Sequence, residues 1–489
     1  MKRLISESSN YGKLMLLIGL LIAAPLAVIP FYPGDAQYIS SFVIPSAVSV
    51  VLGFLVCLTT PRKERPVTEW QSPLQRGSLP VMLAWSFAFI AGAVPFVIGG
   101  QLPLILAIFE SVSGWTTTGL TVVEVAGMPH VFLFHRAFMQ YCGGLGFMIM
   151  VAMLVQSKQN MNLYSAEGHP DRIMPSLKKT SRIIFILYTC FLIGGSLIYR
   201  IFGMKLFDSV CHTMSALSTA GFTTQANSIG QYNSLPIEII TIALMIVGST
   251  NFAILLLLVK RKFRRILQVS EVRFMMWMLL VTVPPVTFSL MRNMGLGLGR
   301  GFINSLFGIV TTFTTTGYST MYYALWPPFA LGVLMVLMII GGSAGSTAGG
   351  IKLFRAYLLI KITKENVKGR ISPARHVTSP SYYRAQGRIP INESVIKETF
   401  GFVSCYMGVF ILGSLLLTIT SDRPLFDAMF EFASAFGTVG ISNGLTNAGA
   451  SAGSLLVLMA GMILGRLEIF IVFIAIYAAI KTLRQKLNL

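Results

Sequence analysis

Charge is what this chain of 489 residues has least of: Asp, Glu, Lys and Arg together make up 11 %, against about 25 % in soluble domains. A surface so poor in charge does not belong to a protein bathed in water on all sides. Cysteine is rare as well, and Cys57, Cys142, Cys190, Cys211 and Cys405 lie singly in apolar stretches without a CxxC pair. Their isolation excludes a disulfide framework, and with no clustered histidines beside them it excludes a zinc centre. Neither an HExxH pair nor paired aspartates occur within the apolar segments, which argues against an enzyme. A phosphate loop is missing too. Where the small residues ending at Gly350 come nearest to GxxxxGK, Ile351 takes the lysine position, so no organic cofactor is expected.

What the chain does have is apolar length. Hydrophobic residues account for 54 % and fall in runs of the ~20 residues that cross a bilayer as helix. The expected fold class is an all-α polytopic membrane protein. The balance of 38 basic against 18 acidic residues, +20 in all, could suggest nucleic acid. The basic residues, however, fall in short loops between apolar segments. Lys260, Arg261, Lys262, Arg264, Arg265 and Arg273 flank one connection; Lys352, Arg355, Lys361, Lys364, Lys368, Arg370, Arg375, Arg384 and Arg388 fill another. By the positive-inside rule both are cytoplasmic, so lipid is the expected neighbour and no nucleic acid is called for. Lys2, Arg3 and the apolar run 14–29 mimic a signal peptide, yet no small-x-small site follows promptly and a retained helix is expected.

Four stretches repeat one another: SGWTTTG ending at Gly119, SALSTAG at Gly221, TTFTTTG at Gly317 and SAFGTVG at Gly440. Threonine stands two residues before each glycine (Thr117, Thr219, Thr315, Thr438), and a hydroxyl six before (Ser113, Ser215, Thr311, Ser434). Asp208, Asn304 and Asp427 lie thirteen before three of them, and Leu106 breaks that rule in the first. The glycines are 102, 96 and 123 residues apart, as though one unit had been used four times. Apolar helices at 12–32 and 38–60 come first. The order helix, short segment, glycine motif, helix then recurs, with full helices at 79–99 and 130–156, 181–202 and 236–259, 274–292 and 328–360, and 395–419 and 453–480. The expected division is an N-terminal helix pair (1–66) and four repeats (67–160, 161–262, 263–372, 373–489), with ten spanning helices and both termini cytoplasmic.

Each short segment, of roughly 13 residues, makes only about 20 Å of helix, enough to enter the membrane and return to the same side. Irregular backbone at that depth is tolerated where it lines a water-filled cavity, so four such segments around one axis predict a pore. Glycine lets consecutive carbonyls turn inward, threonine adds oxygens, and helix dipoles ending at the cavity favour a cation. Small-residue packing between helices would account for a single copy. Four copies in register point to a filter made of Thr117, Thr118 and Gly119; Thr219, Ala220 and Gly221; Thr315, Thr316 and Gly317; and Thr438, Val439 and Gly440.

About 25 residues after each filter glycine, the returning helix carries a second marked site, at Gly143-Gly144, Gly248-Ser249, Gly341-Gly342 and Gly465-Arg466, expected well below the filter. In repeat three it expands to Gly341, Gly342, Ser343, Ala344, Gly345, Ser346, Thr347, Ala348, Gly349 and Gly350. Ten small residues do not hold a helix, so a break and a gate are expected there. Arg466, costly near a helix centre, is expected to face the polar interior as a brake on cations. His135, Arg136 and His212 read as interfacial or interhelical packing residues rather than a proton relay, and Asp208 and Asp427 as helix caps near the outer surface. A secondary transporter coupled to H+ or Na+ remains the alternative, and it would need buried carboxylates along the path.

The four motifs, GGSAGSTAGGIK at 341–352, GRLEIF at 465–470 and the extra helix pair resemble the Trk/Ktr/HKT superfamily of potassium transporters, most closely the bacterial Trk pore subunits of TrkH or TrkG type. The resemblance covers nearly the whole chain. It implies K+ (and Rb+) as the transported ion, a filter of Gly119, Gly221, Gly317 and Gly440, loop 341–350 as an intramembrane gate and Arg466 beneath it. It further implies a homodimer with one pore per subunit in the bacterial cytoplasmic membrane, regulated by a cytosolic TrkA-like nucleotide-binding ring. Ala348 departs from the family's loop, and GTVG of repeat four from its hydroxyl run. Glycine at all four filter positions implies potassium over sodium.

Overall fold

The computed structural model describes residues 10–59, 73–146, 177–371 and 380–486. The expected inner ends of the first helix pair (60–66), the last turns of the helix at 130–156, the basic segment after it, Arg375 and the extreme termini lie outside the described residues.

Helices α1 (Asn10–Ala23) and α2 (Ile39–Thr59) form the N-terminal pair, joined by 3-10 turns. They pack through small residues, since a methyl on Gly12 would stand 2.9 Å from the Gly53 carbonyl, the close approach that membrane helices use in place of a hydrophobic drive. The pair docks on repeat one through Asp35, whose carboxylate accepts from the Val131 amide at 2.8 Å.

Repeat one comprises α3 (Pro73–Ile98), the short α4 (Leu104–Trp115) and α5 (His130–Leu145); repeat two α6 (Leu177–Ile201), the short α7 (Leu206–Leu217), α8 (Leu235–Ser249) and α9 (Phe252–Val259). Repeat three begins with α10 (Phe263–Gln268) and continues through α11 (Ser270–Met294), the short α12 (Leu298–Phe313), α13 (Pro328–Ile340) and α14 (Leu353–Ile371). A hairpin of β1 (Ser381–Arg384) and β2 (Gly387–Pro390) precedes repeat four, which holds α15 (Glu393–Ser421), the short α16 (Leu425–Phe436), α17 (Ala452–Arg466) and α18 (Ile469–Lys486). The hairpin is the one departure from all-helical structure among the described residues. Its Tyr382 packs against Leu358 and Ile362 of α14.

Among the described residues six helices are long and apolar enough to cross a membrane, or eight if two sharply bent pairs each count as one. The ten expected spans differ from this in informative places. The returning helix of repeat three is split by the loop between α13 and α14, as expected, and that of repeat one reaches the limit of the described residues after Gly146. The returning helices of repeats two and four, expected to be continuous, bend by 116° between α8 and α9 and by 104° between α17 and α18. Both breaks fall at the marked sites Gly248-Ser249 and Gly465-Arg466, where one or two residues suffice to end the helix: Thr250 is extended, and Glu468 takes φ +59°. Asn251 caps α9 by accepting from the Ala253 amide at 2.7 Å. Outward-facing Leu280, Phe288 and Ile419 are exposed, the apolar belt a bilayer covers.

Candidate functional site

The short helices α4, α7, α12 and α16 all end the same way. Thr118 N donates to the Ser113 carbonyl at 2.9 Å, Ala220 N to Ser215 at 3.0 Å, Thr316 N to Thr311 at 2.8 Å and Val439 N to Ser434 at 2.8 Å. This is the long bond of a Schellman cap. The residue that must then turn left-handed is threonine each time, with φ 56° at Thr117, 51° at Thr219, 56° at Thr315 and 51° at Thr438. Glycine is usual there, and a β-branched residue held in that region costs about 1–3 kcal/mol. Four threonines kept in a costly conformation mark a place where the hydroxyl matters. Those of Thr117 and Thr438 are buried without a protein hydrogen bond among the described residues.

Two residues on, Gly119, Gly221, Gly317 and Gly440 have φ between 81° and 92°. A methyl on Gly119 would stand 2.0 Å from the Ala220 carbonyl oxygen, on Gly221 2.1 Å from that of Thr316, on Gly317 2.1 Å from that of Val439, and on Gly440 2.3 Å from that of Thr118. The contacts pass from repeat one to two, two to three, three to four, and four back to one. The residues grouped by sequence as the filter are therefore brought together in a closed ring of four strands, each entered from the C-terminal, electronegative end of a short helix. Outside the ring lies a cavity of about 370 Å³ lined by Gly119, Gly221, Thr121, Glu124 and Arg136.

The outer leg of each strand is tied back to its own short helix. Asp208 accepts from Thr224 Oγ1 at 2.6 Å and from Gln225 at 3.2 Å, and Asn304 accepts from Thr320 Oγ1 at 3.0 Å. Asp208 makes no cap bond to its own helix, so the expectation of a capping residue gives way to a brace. For Asp427 the backbone carbonyl plays this part, accepting from Asn443 at 3.2 Å. Repeat one, where Leu106 occupies the corresponding position, uses Glu110 four residues later. Glu110 accepts from Thr121 Oγ1 at 2.9 Å and the Val122 amide at 3.2 Å, and pairs with Arg136 at 2.7 Å with both side chains buried. Arg136, read from sequence as a packing or interfacial residue, also lies 4.1 Å over the Phe222 ring and donates to the Thr223 carbonyl at 3.2 Å.

Sequence reasoning missed Glu110, Glu431 and Gln140. Glu431 accepts from Ser442 Oγ at 2.8 Å, from the amides of Asn443 and Thr446 at 3.1 Å each, and from the Thr446 hydroxyl. Gln140 joins repeats one and two: its amide donates to the Ala220 carbonyl at 2.8 Å, while its oxygen accepts from Ser215 Oγ at 2.6 Å and Phe222 N at 3.2 Å. A signal for the glutamates was present, because Phe109-Glu110 and Phe430-Glu431 fall at the same distance before their glycines.

The second marked sites do not lie well below the ring. Methyls on Gly143, Gly248 and Gly465 would stand 2.1, 2.5 and 1.9 Å from the carbonyl oxygens of Trp115, Leu217 and Phe436, at the last turns of the short helices. The returning helices start only after the chain has run back outward, so a count of 1.5 Å per residue from the ring overstates the depth. Loop 341–350 consequently touches the inner end of the ring. Gly349 N donates to Thr315 Oγ1 at 2.9 Å, and Thr347 Oγ1 lies 3.0 Å from Thr219 Oγ1. Thr347 also donates to the Gly248 carbonyl at 3.0 Å, and Asn251 donates to the Ala344 carbonyl at 2.6 Å. Arg466, at the end of α17, donates to the Thr347 carbonyl and to the Gly143 carbonyl, both at 2.5 Å. It thereby links the loop of repeat three to the returning helix of repeat one. Glu468 pairs at 3.1 Å with Arg355 of α14.

The family model for TrkH, described as a cation transport protein, matches residues 53–296 and 274–486. This chain belongs to that family. It is 30 % identical over 483 residues to the Trk system potassium uptake protein TrkG of Escherichia coli (strain K12), covering 95 % of this chain and 96 % of that one. To TrkH of Halomonas elongata it is 27 % identical, with 95 % and 96 % covered. The crystal structure of the potassium transporter TrkH from Vibrio parahaemolyticus superposes with a TM-score of 0.82 at 27 % identity, over 95 % of this chain and 96 % of that one.

Proposed function

We propose that this TrkH-family chain carries K+, and Rb+ in its place, into the cell across the cytoplasmic membrane through the ring of Gly119, Gly221, Gly317 and Gly440. The observation that supports this reading is the closed cycle of glycine-on-carbonyl contacts, which puts backbone oxygens of four strands around one axis. A bare cation entering low dielectric meets an idealised penalty of order 20 kcal/mol, and carbonyl and threonine oxygens in place of water oxygens offset it. The names of the relatives, potassium uptake proteins, agree with the ion.

In this proposal loop 341–350 closes the inner mouth and Arg466 holds it there, its positive charge opposing cations in the cavity. Opening requires the loop to leave Thr219 and Thr315 and the guanidinium to release Thr347 and Gly143. A cytosolic TrkA-like nucleotide-binding ring would supply that force through the basic cytoplasmic face around Lys260, Arg261, Lys262, Arg264 and Arg265, with two copies of this chain forming the membrane unit.

One observation favours the alternative of H+ or Na+ coupling. Glu431 is a buried carboxylate with no cationic partner among the described residues, and the sequence reading had found no such group. Its donors all brace the strand of repeat four, however, which is a structural use. Purified protein in liposomes separates the readings. Conduction predicts K+ and Rb+ flux down their own gradients and greater flux after deletion of 343–348. Coupling predicts no flux without an imposed H+ or Na+ gradient and no effect of the deletion.

A further inference from the structure

Away from the pore, a cavity of about 340 Å³ opens between α11, α14 and the hairpin, lined among others by Ser270, Arg273, Tyr357, Lys361, Ser381 and Arg388. Three separate elements each contribute one cation to it. Each cation is steadied by a neutral oxygen: Arg273 Nε donates to the Leu267 carbonyl at 2.7 Å, Lys361 Nζ to the Ser381 carbonyl, and Arg388 Nε to the Ser381 hydroxyl at 2.7 Å. None of the three has a carboxylate in ion-pair distance among the described residues. Three like charges gathered around one cavity repel each other unless an anion joins them. Two guanidinium forks, an ammonium and nearby hydroxyls match the tetrahedral oxygens of a phosphate better than a single carboxylate.

We propose that this cavity binds a phosphate-bearing anion, either a phospholipid headgroup at the membrane surface or a soluble phosphate. The site has a direct mechanical link to the loop. Leu353, the first residue of α14, donates its amide to the Gly342 carbonyl at 2.8 Å, and Lys361 lies two turns further along the same helix. An anion shared by Lys361, Arg273 and Arg388 ties α14 to α11 and the hairpin. Resting on the reading of 341–350 as a gate, an occupied site restrains α14, keeps the loop against the ring and lowers flux.

The test is thermal unfolding of the full-length protein with inorganic phosphate in detergent, and in nanodiscs of phosphatidylcholine alone or mixed equally with phosphatidic acid. At least one phosphate probe raises the unfolding temperature. The triple variant Arg273→Gln, Lys361→Gln, Arg388→Gln cuts that rise at least threefold, while Lys260→Gln, Arg264→Gln on the same face keeps it. A response to lipid only identifies a headgroup; a response to inorganic phosphate identifies a soluble anion; both support the site. No rise with either probe, or a rise that the triple variant retains in full, overturns it. Should the triple variant fail to fold, Lys361→Gln alone must still reduce the rise. Flux is read separately: binding lost in the variant with flux unchanged leaves the site standing and sinks the gate reading on which its effect depends.

Discussion

Repeats one and four hold their strands differently from repeats two and three, although all four strands have the same backbone. In one and four the outer leg hangs from a glutamate nine residues before the ring glycine, Glu110 or Glu431. In two and three it hangs from Asp208 or Asn304, thirteen before. The inner side divides less symmetrically: the loop takes up the hydroxyls of Thr219 and Thr315 and leaves those of Thr117 and Thr438 without protein partners among the described residues. What the repeats share is thus the strand conformation. The groups that impose it differ, and the threonine hydroxyls sort the strands into two that hydrogen-bond the loop and two that do not, although Gly349 also packs against Gly437 and Thr438 of repeat four.

The largest effect is expected in repeat one, where the brace is a buried ion pair. Arg136→Met leaves Glu110 charged and unpaired and is expected to cost about 3–5 kcal/mol of stability, seen as early thermal unfolding. The double variant with Glu110→Met should recover much of that. A single variant as stable as the parent would break the comparison. In repeat four, Glu431→Ala orphans several donors at once, about 1–3 kcal/mol, and should lower K+ preference over Na+ in liposome flux, while Glu431→Gln does so less. On the inner side Thr347→Val removes hydroxyl bonds worth about 0.5–1.5 kcal/mol net. Flux should therefore rise about two- to tenfold with ion preference intact, and unchanged flux would mean that the loop is no gate. The smallest change is expected from Asn304→Ala, which gives up one partly buried bond of about 0.5–1.5 kcal/mol. Its K+ to Na+ flux ratio should fall, but by less than for Glu431→Ala.

The ring was legible in the sequence because its backbone conformation demands glycine and its cap repeats threonine, so chemistry and spacing coincided four times. Loop 341–350 was legible for a similar reason, since ten small residues in an apolar run have no helical use. The glutamates were harder to see. They occupy a position held by His212 and Gly308 in the other repeats, so alignment on the glycines dilutes them. The bends after Ser249 and Arg466 fall at sites the sequence marks, Gly248-Ser249 and Gly465-Arg466, but a short polar interruption of an apolar run does not show that the backbone at Asn251 and Glu468 ends one helix and starts another. For Arg136 the sequence indicated an interfacial or interhelical packing role but not its partner, because Glu110 lies on another helix and no periodicity of α5 alone reports that.

The most direct test of the central claim is the K+ to Na+ flux ratio of purified protein in liposomes for Gly119→Ala, Gly221→Ala, Gly317→Ala and Gly440→Ala, each checked for folding by its unfolding temperature. The ring predicts that all four folded variants lose K+ flux or preference together, because each added methyl meets the carbonyl of the next strand at 2.0–2.3 Å. A folded variant at any one of these positions with the parent's flux and preference would show that its strand does not belong to the ion path, and the account would fail.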